Sequence, residues 1–224
     1  DVVRVESVSC FGISARLSRF KVDGDSQINL DHAMVENKSG NIVLATSTNS
    51  ELRPSANLFS AGAVTGAGAD VDAINQVRNT ISVVDTFMKG SDVNMQAGRN
   101  TSGVSDLLEA SANAEITTVS LVGIAVPVVV ADLDELNTID IAGQTRIQAL
   151  QDVNMLTHTG VGQDRASTDG LALSLSLIPY GMEVPDGASD NPVNTVTIGN
   201  QAVIEAGLNN MSAVRVLPVK IGGV

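Results

Sequence analysis

Apolar and polar residues alternate with a period of two along most of this 224-residue chain. That alternation is the pattern of β-strands that bury one face. It is clearest in LALSLSL at 171–177, RVESVS at 4–9 and TVTI at 195–198. Clusters of Gly, Asn, Asp and Ser separate the runs and mark turns. One stretch, VSDLLEASANAE at 104–115, has the spacing of a short helix. The pattern therefore predicts an all-β protein with at most one helical excursion.

Two short motifs recur at nearly constant spacing, which is the signature of a repeat architecture. NTISV, NTIDI and NTVTI begin at positions 79, 137 and 194, and SQINL at position 26 is a degenerate copy. DVNM begins at positions 92 and 152, with GNIVLAT at 40–46 and LNNMSA at 208–213 in the corresponding places. We expect each motif to be one strand that recurs in every repeat.

A third motif is an alternating apolar stretch around a glycine, and it occurs at Gly12, Gly62, Gly123, Gly181 and Gly223. These glycines divide the chain into four irregular repeats at approximately 1–50, 51–110, 111–168 and 169–210, with 211–224 starting a further repeat. Because stacked repeats share one core, we expect a single repeat-built β domain over residues 1–224.

Such a unit, rich in Val, Ala, Asn, Thr and Ser, predicts a parallel β-solenoid in which each repeat stacks on the last. Only 2% of the residues are aromatic and there is no Trp, so thin layers of small side chains fit better than one round core. In this stack Asn79, Asn137 and Asn194 would form a hydrogen-bonded ladder. The alternative is an antiparallel β-sandwich with duplicated hairpins.

The two ends of the chain resemble each other. VRVESVSCFGI at 3–13 and VRVLPVKIGGV at 214–224 are identical at five of eleven positions without a gap. This match predicts either a head-to-tail joint between copies or one long tandem array in the same polypeptide. The residues expected to line the joint are Val3, Val5, Val8, Gly12, Val214, Val216, Val219 and Gly223.

The net charge of −12 argues against binding to nucleic acid or to an anionic membrane, because both require a positive face. The longest apolar run, at 116–131, is shorter than the roughly 20 residues of a membrane helix and reads as buried strands. We therefore expect no nucleic-acid partner and no membrane insertion. Cys10 is the single cysteine, so an internal disulfide is impossible.

The segments SAGAVTGAGADVDA at 60–73, NTISV at 79–83 and GSDVNMQAG at 90–98 resemble the repeat regions of giant bacterial extracellular surface proteins. These are the large filamentous adhesins and leukotoxin-like exoproteins. The resemblance implies an elongated β-solenoid at the cell surface that serves adhesion or fibre formation. Its partners would be itself, head to tail, or neighbouring repeats of the same chain. It implies no catalytic residues.

No constellation of catalytic residues stands out, and we expect no enzyme. His32 and His158 lie outside any metal-binding or catalytic motif and read as exposed turn residues. Paired acids could serve a β-helical protein that binds or processes carbohydrate, which is the alternative function. The chain has one Tyr and no Trp, whereas sugar subsites usually use aromatic platforms.

Carboxylates are the candidates for a bound ion, because alternate acids can supply oxygens to calcium. They are Asp23, Asp25, Asp31, Asp70, Asp72, Asp132 and Asp134. In a strand, alternate acids can equally form a solvated outer face, and both interpretations stay open. No other cofactor is expected.

Overall fold

A computed structural model describes residues 2–8, 11–157, 164–181, 187–207 and 214–218. The regular elements in these ranges are all β-strands, and the pairings between them are all parallel. The protein is therefore all-β with parallel sheets, which is compatible with a β-helix-like fold. Parallel pairing is inconsistent with the antiparallel sandwich that the sequence left open, because duplicated hairpins pair antiparallel.

The strands form three sheets. The first contains β1 (Val2–Val8), β2 (Phe11–Asp31), β5 (Ser50–Leu52), β6 (Ser55–Val84), β9 (Leu108–Ala142), β12 (Arg165–Gly181) and β13 (Gly187–Ile198). The second contains β3 (Met34–Glu36), β7 (Phe87–Gly90), β10 (Arg146–Ala149) and β14 (Val203–Glu205). The third contains β4 (Ile42–Thr46), β8 (Val93–Ala97), β11 (Val153–Thr157) and β15 (Val214–Pro218). In the first sheet β6 and β9 are central, with β1 and β2 beside β6 and with β12 and β13 beside β9.

Each strand pairs with the strand one repeat further along the chain. Asn79 lies opposite Asn137, which lies opposite Asn194, and Ser26 of the degenerate copy lies opposite Asn79. The two DVNM motifs meet in the third sheet, where β8 pairs with β11, and the GNIVLAT strand β4 pairs with β8. The predicted equivalence of the NT motifs, and of DVNM with GNIVLAT, is therefore confirmed.

The two ends that match in sequence do not occupy equivalent places. β1 pairs with the start of β6 in the first sheet, whereas β15 pairs with β11 in the third. Residues 214–218 pair at the place that DVNM occupies in the preceding repeat, and the start of a further repeat at 211–224 stays a prediction. LNNMSA, to which that place was assigned, lies outside the described residues. Alternating valines suit a strand in either sheet, so the matched identities do not define the phase.

The two longest strands of the first sheet, β6 and β9, each bend once. In β9 the even-numbered residues are buried up to Thr118, and the odd-numbered ones from Gly123 onward. Leu121 lies at this switch and is skipped in the pairing with β6 and with β12. Ala114 and Ala125, on either side of the bend, belong to the same buried cluster. The second and third repeats therefore form a thin two-layer lobe.

Two clusters of buried side chains make up the core. The cluster inside the lobe is rich in alanine, because its two layers lie close together; Ala56, Ala69 and Ala112 are examples. The second cluster lies where all three sheets meet and uses larger side chains, among them Ile81 and Met95.

The helix-like stretch at 104–115 is not helical, since β9 begins within it at Leu108. Leu108, Ala110 and Ala112 alternate with polar residues and are buried in the lobe. Leucine and alanine are strong helix formers, which produced the helical signal. The lobe overrides that propensity because it requires small side chains at every second position.

Candidate functional site

An open polar groove of about 580 Å³ runs along the outer face of the first sheet. Its polar lining includes Lys21, Asp23, Asp25, Gln76, Arg78, Asp134 and Asn191. Four of these form one row across the strands, in the order Asp23, Gln76, Asp134 and Asn191. The period-two alternation places this row outside, while Val77 and Leu133 next to it are buried in the lobe.

Two amides from neighbouring repeats hold Asp134 in the middle of this row. Gln76 Nε2 donates to Asp134 Oδ2 at 3.0 Å, and Asn191 Nδ2 donates to Asp134 Oδ1 at 3.3 Å. The groove therefore presents a row of carboxylates and amides, with the cations of Lys21 and Arg78 on either side of the row. Such a row can hydrogen-bond the hydroxyl groups of a carbohydrate. Its lining includes no aromatic ring on which a sugar could stack.

A column of asparagines lies behind the groove. Asn79 Nδ2 donates to Asn137 Oδ1 at 2.9 Å, and Asn137 Nδ2 donates to Asn194 Oδ1 at 3.1 Å. The predicted asparagine ladder is therefore confirmed. Asn79 Nδ2 also donates to Asp106 Oδ2 at 2.9 Å, and Asp106 is buried. Burial raises the pKa of Asp106, although hydrogen bonds from Ser47, Thr48 and Asn79 oppose the shift.

Glu135 and Asp164 place two more carboxyl groups beside this column. Glu135 is almost fully buried, and its Oε1 accepts from Asn137 Nδ2 at 2.7 Å. Burial raises the pKa of Glu135 to about 8, with further contributions from Asp164 and Asp106. Burial likewise raises the pKa of Asp164 to about 6. Both shifts favour the protonated carboxyl groups, because burial disfavours the carboxylate and nearby negative charges repel each other.

A small charged cluster lies at the corner where β2 and β6 end. His32 is exposed there in a turn, as predicted, and its Nδ1 is 2.6 Å from Asp31 Oδ1. Its Nε2 is 3.8 Å from Asp85 Oδ2. These three residues are close enough to hold a metal ion. The two carboxylates contact different ring nitrogens, however. A cation bound to His32 Nε2 would therefore also be bound by Asp85, while Asp31 would orient the ring.

The remaining candidate calcium ligands lie elsewhere. Asp72 is buried and pairs with Arg19 at 2.6 Å, and burial together with Asp72 raises the pKa of neighbouring Asp70. Burial, with Asp134 as a lesser cause, raises the pKa of Asp132. Asp23, Asp25 and Asp134 line the groove, and Asp31 is at the corner. The seven acids are thus divided among several places, and a calcium site among them stays a prediction.

The residues predicted to line a head-to-tail joint also fall into separate places. Val3, Val5 and Val8 lie in β1 and Gly12 lies in β2, whereas Val214 and Val216 lie in β15. Val219 and Gly223 lie outside the described residues, as do His158 and Cys10. That these residues line a joint between copies stays a prediction.

Asp106 and Asp164 are structural residues that none of the sequence motifs indicated. The two are 58 residues apart, which is the repeat spacing, and each caps a backbone amide one repeat away. Asp106 accepts from the Thr48 amide at 2.8 Å, and Asp164 accepts from the Leu108 amide at 3.3 Å. Their spacing could have indicated them, because an acid that recurs once in each repeat is expected to have the same structural role in each.

No protein-family model matches the chain, and neither the curated proteins nor the solved structures include a match to it. Within the part of the chain that the structure describes, no helix is long and apolar enough to cross a membrane.

Proposed function

We propose that the chain is a structural and adhesive β-solenoid, a segment or subunit of a long extracellular surface fibre. The observation that carries the proposal is an unpaired hydrogen-bond donor at the end of the asparagine column. Asn79 and Asn137 each donate to the next asparagine, but the Nδ2 atom of Asn194 is enclosed by protein and has no partner among the described residues. A further repeat stacked on β13 would supply the missing acceptor, and buried donors are rarely left unpaired.

The outer edges of the first sheet also support the proposal. Within the described residues, β2 pairs with β6 alone over 21 residues, and β12 and β13 pair with β9 alone. Open backbone donors and acceptors along such an edge are a template for another strand. Repeats added at both edges form a heterologous contact, which extends an open fibre when the rotation between copies does not close a ring. The partner would be another copy or further repeats of the same polypeptide.

The extracellular and adhesive part of the proposal rests on the resemblance of residues 60–73 and 90–98 to adhesin repeats. The proposal assigns no catalytic role to the chain. It also includes no nucleic-acid partner and no membrane insertion, in keeping with the net charge of −12.

Two measurements on the native material test the fibre. Mass spectrometry in denaturant gives the covalent chain length, and electron microscopy shows the native shape. Filaments built from chains of about 23 kDa would indicate a non-covalent subunit, and one far longer chain would indicate a segment. Chains of that mass that stay monomeric would overturn the proposal.

A matched pair of variants in β13 then tests the edge itself. Val196 packs against the core and Thr195 faces outward, so Val196→Lys points a charge toward the stacking surface while Thr195→Lys does not. We expect Val196→Lys to shorten the filaments and Thr195→Lys to leave them unchanged. Far-UV circular dichroism checks that both variants keep their strands.

The polar groove favours a second candidate function, which is the binding of carbohydrate. Its row of acids and amides is continuous over four strands. Calorimetry with soluble glycans, comparing Asp134→Ala with the groove-remote control Asp169→Ala, tests it. Binding that is lost only in Asp134→Ala would support this function, and absence of binding to the unmodified protein would reject it.

A further inference from the structure

Strand β12 carries its leucines on the outside and its serines on the inside, the reverse of a normal surface strand. Leu173, Leu175 and Leu177 are 50%, 58% and 81% exposed. Ser174, which lies between two of them, faces the interior, where its Oγ accepts from Thr118 Oγ1 at 3.1 Å. Thr118 is fully buried. The polar residues therefore pair inside the lobe, and the apolar ones cover its outer surface.

The neighbouring strand β9 continues this surface. Leu121 of β9 is 56% exposed, and β9 has strands on both sides, so this exposure is not an effect of a sheet edge. On the same side of the bend, Val119 of β9 lies opposite Leu175 and is 41% exposed, and Leu171 of β12 is 55% exposed. We call this surface the aliphatic tip and define it by Val119, Leu121, Leu171, Leu173, Leu175 and Leu177.

The aliphatic tip is large for the surface of a monomer. The exposed parts of its six side chains amount to on the order of 600 Å², about three quarters of the roughly 800 Å² that each partner buries in a standard interface. The tip is also free of charge in a chain with a net charge of −12, since no charged residue occurs at 117–130 or 171–178. A surface without charge allows two acidic molecules to approach each other there.

We propose that the aliphatic tip docks a second copy of this chain, with the outer faces of two lobes packed together. Rows of aliphatic side chains at strand spacing match identical rows on another copy, as in the face-to-face packing of two sheets. A lipid surface is a poorer occupant, because the six residues include no Trp or Tyr, the usual interfacial side chains, and an anionic membrane repels an acidic chain. This lateral contact is separate from the stacking of repeats in the proposed fibre.

Sedimentation equilibrium on the full chain tests the contact with two matched double variants. Leu173→Gln with Leu175→Gln places amides in the tip, and Met34→Gln with Val43→Gln replaces exposed apolar residues of β3 and β4. We expect the first pair to weaken self-association on the order of 100-fold and the second to leave it unchanged. Equal association in the two variants, or a monomer at all concentrations, would overturn the proposal.

Cross-linking keeps the proposal testable if the first double variant does not fold. In a Cys10→Ser background, Leu175→Cys should form an intermolecular disulfide under mild oxidation, whereas Val203→Cys on β14 should not. Electron microscopy separates this contact from the fibre, since lateral docking changes filament width and repeat stacking changes filament length. Flotation with zwitterionic and anionic vesicles covers the other occupant, and vesicle binding that the leucine variants abolish, without self-association, would refute docking of a second copy.

Discussion

Asn79 and Asn137 are 58 residues apart in the chain, yet Asn79 Nδ2 donates a hydrogen bond to Asn137 Oδ1 at 2.9 Å. Both side chains are fully buried. A carboxamide carries a donor and an acceptor, so one asparagine above another can pass the same bond from repeat to repeat. A slip of one residue would bring Thr80 or Thr138 to the inside and break the column. The NT motif therefore fixes the register between repeats.

Replacing the central asparagine, Asn137, tests whether the column fixes the register between repeats. Asn137 accepts from Asn79 and donates to both Glu135 and Asn194. We expect Asn137→Ala to lower the free energy of unfolding by roughly 2–4 kcal/mol, because buried partners on three sides lose a hydrogen bond. Urea denaturation followed by circular dichroism measures the change.

Asn154 provides the matched control. Its Nδ2 donates to Asn94 Oδ1 at 2.8 Å in the same stacked geometry, but both residues face outward and are only half-buried. Water can replace that bond, so Asn154→Ala should cost less than about 1 kcal/mol. Equal costs at the two positions would show that burial of the column does not set the register.

Gly143 is expected to tolerate substitution poorly. Its φ of +64° is in the left-handed region, and an added Cβ would lie 2.2 Å from Asp85 Oδ1. We expect Gly143→Ala to destabilise the protein by about 2 kcal/mol or more. At Gly187 an added Cβ would meet nothing within 4 Å, so Gly187→Ala should be nearly neutral. Thermal melts of both variants check the difference, and similar melting temperatures would contradict the role of the turn.

The repeat and its strands could be predicted from the sequence because both depend on local patterns. NTISV and NTIDI recur at the spacing at which β6 and β9 pair, so their equivalence needed no structure. The phase of the last segment could not be predicted in the same way. Val214 and Val216 have the alternation of any strand in this chain, and which sheet they join depends on the path of the residues before them.

Which residues face the inside of the lobe could also not be predicted from the sequence. Period-two alternation in LALSLSL indicates two faces of a strand but not which face is buried. The inward position of Ser174 and the outward position of Leu173 could therefore not be predicted. The cluster of Asp106, Glu135 and Asp164 is similarly non-local, because two repeats contribute to it. The acids that the sequence did single out, such as Asp23 and Asp25, are instead exposed on the outer face.

Calcium is expected to have little effect on stability. A calcium ion takes six to eight oxygens, whereas the candidate acids are divided among the groove, the corner at Asp31 and the pair at Asp72. We expect the melting temperatures in millimolar calcium and in EDTA to agree within about 1 °C, since an ion that does not bind the folded state cannot stabilise it. A rise that Asp31→Asn abolishes would place an ion at the corner, and a rise that Asp134→Asn abolishes would place it in the groove.

Glu135 should make the protein less stable as the pH rises toward 8. Its pKa is about 8 in the folded state against 4.5 for a free glutamate, because burial disfavours the carboxylate. The folded state therefore holds a proton that the unfolded state releases. The stabilisation is complete below about pH 4.5 and is lost as the pH rises through the folded pKa. Asp164 adds to the same trend between its ordinary pKa of 3.8 and about 6.

Glu135→Gln should remove most of this dependence, because an uncharged amide can accept from Asn137 and donate toward Asp164 at any pH. We expect the variant to exceed the unmodified protein in stability by roughly 2 kcal/mol at pH 8 and to differ little at pH 4.5. Urea denaturation at half-unit steps of pH measures both profiles. Glu115→Gln, at an exposed position of the same strand, should leave the profile unchanged. If the two variants gave the same profile, the buried carboxyl pair would not be the group that titrates.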